Sequence, residues 1–381
     1  MSSSLLIAFL GTKPNILSEE TKPDQSRQTL IYTAKSVVLV SLLFILASLI
    51  GISAYYFKDA PSTSTQESAA AGPDQGISRN VNTKTIKQAK AIPADAWKSP
   101  EDSTIPADEY GQMIRYGREL VKNTAKYFGP NGSVARISNG MNCQNCHLEA
   151  GTKTFGNNYS IFFASYPKKS ARSGKMAEAT ERIADCFQRS LNGKVPDLSG
   201  KEVKAMLAYM QWVGSEQEKG KKAFGSGTEK LNYMDRAADP EKGLIVYQNK
   251  CLSCHGQHGE GIKSADQLAF VYPPLWGPQS YNDGAGMYRL SNFAGFVKNN
   301  MPYGVTYPDA QLTDEESWDV AAFVNTQPRP HKEQKEDYPD RSKKPIDAPY
   351  GPYLDGFTEQ QHKYGPFPPI VMALKDIASN H

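Results

Sequence analysis

The sequence predicts a mainly α chain of two similar helical blocks in tandem, with an apolar N-terminal helix before them and an irregular tail behind. Three observations predict it. Apolar residues recur at helical period from near Tyr110, Cys-x-x-Cys-His occurs at 143–147 and again at 251–255, and each copy is followed by a Ser/Thr-x-x-Glu capping box opening an amphipathic run. The 381 residues suit two ordinary domains plus connecting segments, and 39% hydrophobic residues suffice for their cores. With 43 Lys and Arg against 40 Asp and Glu, the net charge of +3 excludes a protein that binds nucleic acid by neutralising phosphates.

Taken in order, residues 1–36 form a short segment before an uncharged stretch, 37–57 (VVLVSLLFILASLIGISAYYF), which as a helix would rise about 31 Å and cross a bilayer. Lys22, Arg27 and Lys35 precede it and Lys58 alone follows closely, so residues 1–36 are expected in the cytoplasm and everything after the helix on the periplasmic side of the inner membrane. Its start at position 37 and its Tyr-Tyr-Phe end favour an uncleaved anchor over a cleaved signal peptide. Residues 58–99, typified by PSTSTQESAAAGPDQG, read as a flexible linker. The first block, 100–225, opens on a helix with Met113, Ile114, Tyr116, Leu120 and Val121 on a broad apolar face. It closes on one capped by Ser199-Gly-Lys-Glu202 and carrying Val203, Met206, Leu207, Met210, Trp212 and Val213. The second, 226–330, opens on GLIVYQNK (243–250) and closes on a helix capped by Thr313-Asp-Glu-Glu316, with Trp318, Val320, Ala321, Phe323 and Val324. The tail, 331–381, sustains neither helical nor strand period and is expected to pack on the folded body as an irregular extension.

Cys-x-x-Cys-His is the pattern of c-type haem attachment. Two thiols add across the two vinyl groups of one porphyrin while the adjacent histidine reaches the iron from the same side. Cys143, Cys146 and His147, and Cys251, Cys254 and His255, therefore predict two covalently bound haem c groups in two class I-like cytochrome c domains. Such domains draw a second iron ligand from a downstream loop. In the second block this is Met301, followed by Pro302 and 46 residues after His255, with Lys298 the competing ligand and His258 a surface residue. The first block has no histidine between His147 and its closing helix, and Cys186 lies 39 residues after His147, the place equivalent to Met301. Thiolate ligation there would hold the first haem at lower potential than the second. Around Cys186 stand Lys168, Lys169, Arg172, Lys175, Arg182, Arg189 and Lys194, against Glu178, Glu181 and Asp185, a balance that attracts a small anion. On a helix, Arg182 four residues before Cys186 and Ser190 four after share one face, where a guanidinium and a hydroxyl suit oxyanion oxygens beside a sulfur ligand.

The stretch Arg182-Ile-Ala-Asp-Cys186-Phe-Gln-Arg-Ser190-Leu-Asn-Gly193, set between one Cys-x-x-Cys-His and a second with a downstream Met-Pro, resembles the di-haem thiosulfate dehydrogenases. The likeness covers about residues 100–370, including Gln361-His362-Lys363-Tyr364-Gly365-Pro366-Phe367. It implies formation of tetrathionate from thiosulfate, or the reverse as in members that run as tetrathionate reductases. It further implies that His147 and Cys186 ligate the active-site haem, that Arg172, Arg182 and Ser190 bind substrate, and that His255 ligates the electron-transfer haem. Members that use Lys opposite this histidine place it directly before the Met; here that residue is Asn300, so His255/Met301 is implied. Two haems hold the two electrons released by two thiosulfates, no proton need move, and Cys186 is expected to leave the iron and bond to a thiosulfate sulfur. The electrons pass to an external partner, such as a small cytochrome c or a membrane redox complex. A membrane-anchored di-haem carrier without enzymatic activity is the alternative, and a cytochrome joining thiosulfate to a carrier protein's cysteine a further one. A carrier needs no anion site beside Cys186.

Overall fold

A computed structural model describes residues 90–380. The expected membrane helix 37–57, the segment 1–36 and most of the linker lie outside the described residues, among which no helix is long and apolar enough to cross a membrane. The end of the linker departs from expectation. Ala96 and Trp97 are buried, and the Trp97 N–H donates to the Phe224 carbonyl at 3.0 Å, because an indole carries too much apolar area to leave in water.

The described elements are helical, with two short hairpins. Helices α1 (Glu109–Lys122), α2 (Ala179–Arg189) and α3 (Lys201–Val213) form the first half, and α4 (Pro240–Lys250), α5 (Leu290–Asn300) and α6 (Asp314–Thr326) the second. The hairpin of β1 (Lys168–Lys169) and β2 (Met176–Ala177) precedes α2, and that of β3 (Ile262–Lys263) and β4 (Phe270–Tyr272) follows the second haem motif. The most extensive helix contacts are α1 against α3, and α6 against α4 and α5. Both main crossings use a glycine. A Cβ on Gly117 would stand 1.9 Å from the Ala205 carbonyl oxygen, and one on Gly243 would stand 2.0 Å from that of Asp319. The backbones touch, so each closing helix lies directly on its opening helix and one continuous apolar core spans both halves.

Several local expectations are met and others are corrected. Thr313 caps α6, its hydroxyl accepting from the Glu316 N–H while the Glu316 carboxylate accepts from the Thr313 N–H. The box expected at Ser199 does not form, and Gly200 is the N-cap of α3. Asp197 instead accepts both the Ser199 hydroxyl, at 2.8 Å, and the Ser199 N–H, at 3.0 Å, while Glu202 receives the Tyr116 hydroxyl. On α1 the buried stripe is Ile114, Gly117, Leu120 and Val121; Met113, off that stripe, is 39% exposed. The tail is not wholly irregular. It contains α7 (Glu359–Tyr364) and α8 (Pro368–Ser379), the latter opened by two prolines whose fixed φ suits a first helical turn. Phe367 and Ile370 are buried, the former beside Trp318, and the tail's Asp347 is buried against Arg289 and Ser291, accepting from the Ser291 hydroxyl at 2.6 Å.

Replacing Gly117 with Ala is expected to destabilise the holoprotein by at least about 1–3 kcal/mol, since α1 must back away from α3. Chemical denaturation followed by far-UV circular dichroism measures this, and the equivalent change at Gly243 should act alike.

Candidate functional site

Three side chains spaced by four residues reach one cavity. Arg182 and Cys186 from α2, and Ser190 capping its C-terminal end, line a space of about 280 Å³ together with Cys143, Cys146 and His147 of the first haem motif. Met141, Ile183, Phe187, Leu191, Met206 and Met210 supply apolar wall. The motif is fixed from α1 onward: the Thr124 hydroxyl donates to the Leu120 carbonyl at 2.8 Å and accepts the Cys143 N–H at 3.0 Å, while the Asn142 side chain accepts the Ala125 N–H at 2.8 Å. His147 Nδ1 donates to the Asn157 carbonyl at 2.5 Å, its ring stacks on Tyr159, and Nε2 is left for a metal. Burial pushes its pKa down to about 4, which keeps it the neutral imidazole that a ligand must be.

Charge in the cavity is positive. Arg182 is held above the usual guanidinium range, first by its coulombic coupling to Cys186, against the cost of burial. Lys168 also lines the cavity, its ammonium 4.7 Å from the centre of the Tyr166 ring. Arg172 does not line it. Its guanidinium donates to Asp337 at 2.8 Å, and Asp337 also takes Arg189 through both carboxylate oxygens, at 2.8 and 3.0 Å, and the Tyr350 hydroxyl at 3.1 Å. Asp337 thus ties the hairpin loop and the end of α2 to the tail. The second half completes the job: the Asn282 side chain donates to the Gln188 carbonyl and the Asn282 N–H to that of Arg189, satisfying carbonyls that the end of α2 leaves open. Met287 and Asn292 of the second half reach the cavity wall as well.

At the second motif His255 is buried and its Nδ1 donates to the Pro273 carbonyl at 2.9 Å, the arrangement of His147 over again. Met301 follows directly on α5 and packs on the shared core. Lys298 is turned to other work, donating to the Leu312 carbonyl at 2.6 Å and pairing with Asp314 at 2.7 Å. Asn300 is buried, its amide donating to the Phe155 carbonyl of the first half at 3.1 Å. His258 is exposed.

The cytochrome c family matches residues 240–328. The thiosulfate dehydrogenase of Allochromatium vinosum is 38% identical over 249 residues, spanning 64% of this chain and 88% of that protein. The chain belongs to the thiosulfate dehydrogenase family. The enzyme of the same name from Psychrobacter arcticus is 38% identical over 64% of this chain and 71% of its own length. A solved structure of the thiosulfate dehydrogenase TsdBA from Marichromatium purpuratum superposes with a TM-score of 0.57 at 31% identity, covering 63% of this chain and half of that one.

As in that family, the cofactors are covalently bound haem c. The donors fit. Each motif has two thiols not in disulfides and a histidine whose Nδ1 is already bonded to a backbone carbonyl, and at the first motif these donors face Cys186 across an apolar-walled space. Sequence reasoning missed Asn157, Tyr166, Met287, Asn292 and Asp337, none of which belongs to a motif; Lys168 was visible only as one member of the basic run. Asp337→Ala leaves the largely buried Arg172 without its counter-charge and Arg189 with only Asp185, at 3.7 Å. It is expected to cost about 3–5 kcal/mol, read as a lowered thermal unfolding midpoint of the holoprotein.

Proposed function

We propose that the chain interconverts thiosulfate and tetrathionate, 2 S2O3(2−) = S4O6(2−) + 2 electrons, at the cavity holding Cys186. The observation that carries this reading is the presence of Arg182, Cys186 and Ser190 in one cavity with Cys143, Cys146 and His147. An electron carrier has no use for an unneutralised guanidinium beside a cysteine inside its fold. When bound, each haem c takes up one electron, so the pair holds both electrons of the reaction. Arg182 and Ser190 hold sulfonate oxygens and turn the terminal sulfur of thiosulfate toward Cys186. With haem bound, Cys186 would be an iron ligand; as the nucleophile it forms a sulfur–sulfur bond with the terminal sulfur of thiosulfate as two electrons depart. A second thiosulfate attacks that same sulfur, the bond to Cys186 breaks, and tetrathionate leaves with the thiolate restored. Atoms and charge balance without a proton, consistent with a cavity lined by no Asp or Glu.

We assign the second haem, ligated by His255 and Met301, to electron exchange with an external redox partner. Tyr303, 77% exposed, packs edge-on against Tyr272, whose cross-strand partner Ile262 is also exposed, an apolar surface suited to brief docking. Anchorage by residues 37–57, with the haem domains on the periplasmic side of the inner membrane, belongs to the same reading.

A steady-state assay with thiosulfate plus an oxidant, and with tetrathionate plus a reductant, tests the reaction; activity in neither direction would favour the carrier. Cys186→Ala should abolish both directions, a loss of at least about a thousandfold, with both haems still attached by pyridine haemochrome analysis. Met301→Ala should lower the potential of the second haem in a redox titration, whereas Lys298→Gln, which removes a side chain paired with Asp314, should leave its ligation spectrum unchanged.

A further inference from the structure

Of the seven basic residues around Cys186, only Arg182 and Lys168 line the cavity. Arg172 and Arg189 are neutralised together by Asp337, and Arg189 also has Asp185 at 3.7 Å. Lys169 and Lys175 are exposed and outside the lining, and Lys194 lines a separate open groove with Arg136 and Gln279. Lys168 starts β1 immediately after Pro167, and the β1/β2 pairing of Lys168 with Ala177 sets its place at the cavity's mouth. Its ammonium is held below the ordinary lysine range, first by partial burial and then by the charge of Arg182. Among the described residues no carboxylate lies within ion-pair distance of either cation. Asp185, the nearest acidic influence on Arg182, is drawn off toward Arg189.

We propose that Lys168 is the second cation of the substrate cradle and that, with Arg182, it selects a dianion. Two like charges turned into one cavity repel each other and destabilise the empty fold; an incoming anion of two charges removes that cost, and a monoanion removes half. Thiosulfate carries two negative charges, so the proposal rests on the thiosulfate reading and names the residue that completes its binding. Lys168 takes the part that the family resemblance implies for Arg172, which here is spent on Asp337. The ammonium lies over the Tyr166 ring, 4.7 Å from its centre, and Lys168 is solvent-exposed at the cavity's rim, where an anion can reach it.

The test compares Lys168→Gln, Lys168→Arg and Lys169→Gln in the full holoprotein. Lys168→Gln should raise the KM for thiosulfate by about tenfold or more while kcat at saturation changes little, since a charge that binds ground and transition states alike acts on KM. Lys168→Arg should restore most of the affinity, and Lys169→Gln, one residue away but outside the lining, should behave as wild type. Equilibrium binding of thiosulfate, read from its perturbation of the visible haem spectrum, should weaken in Lys168→Gln by the same factor. Lys168→Gln with a KM and a spectroscopic affinity within twofold of wild type overturns the proposal, as does an equal loss in Lys169→Gln, which would mean diffuse surface charge. Lack of wild-type turnover in either direction sinks the thiosulfate reading instead, and the binding measurement still decides whether Lys168 holds an anion.

Discussion

At Gly117 and Gly243 the backbone of an opening helix rests on a carbonyl oxygen of its closing helix, with no room for a methyl group between them. Everything else is placed from these two crossings. Because α1 lies flush on α3, Thr124 at its end comes within reach of Cys143, and Met206 and Met210 of α3 become the back wall of the cavity that the first haem motif faces. Because α4 lies flush on α6, Tyr247 and Trp318 are fully buried and the second motif starts at a fixed height on the core. The same device used twice explains how two blocks with few residues in common present Cys-x-x-Cys-His in the same way, down to the carbonyl that each histidine holds with Nδ1.

Where the halves differ, they differ in the side chain proposed as the second ligand. The first half offers a helix, α2, with Cys186 in its last turns; the second offers Met301 just past the end of α5. A helix end buried between domains must satisfy its open carbonyls, and here Asn282 of the other half does so, while the tail's Asp337 pins the Arg189 side chain beside it. The Cys186 side of the cavity is thus held by segments from three distant parts of the chain. Such bracing suits the proposed reaction, in which the Cys186 sulfur would have to be freed and regained without losing its orientation.

Charge is handled with the same economy. The tail's Asp337 takes up two arginines in a single largely buried cluster, leaving Arg182 and Lys168 as the positive charge that faces the sulfur. An acidic group on the tail therefore decides which cations are left for the proposed anion site in a cavity that it does not line. Lys298 shows the complementary case, an ammonium close in sequence to Met301 that is occupied by Asp314 and the Leu312 carbonyl.

Periodicity and spacing in the sequence determined the helices that open and close each half, the two haem attachment sites, and the common face of Arg182, Cys186 and Ser190. Each depends only on residues within a few helical turns, so local order is enough to read it. Local order also misled: Asp197 captured Ser199 before it could cap α3, and the tail, read as irregular for want of a sustained period, holds α8 opened by two prolines. Only the tertiary structure decided which cations face the sulfur. Arg172 and Lys168 look alike in the basic run, and what separates them is a carboxylate at position 337, more than 150 residues away, brought to Arg172 and not to Lys168 by the packing of the tail.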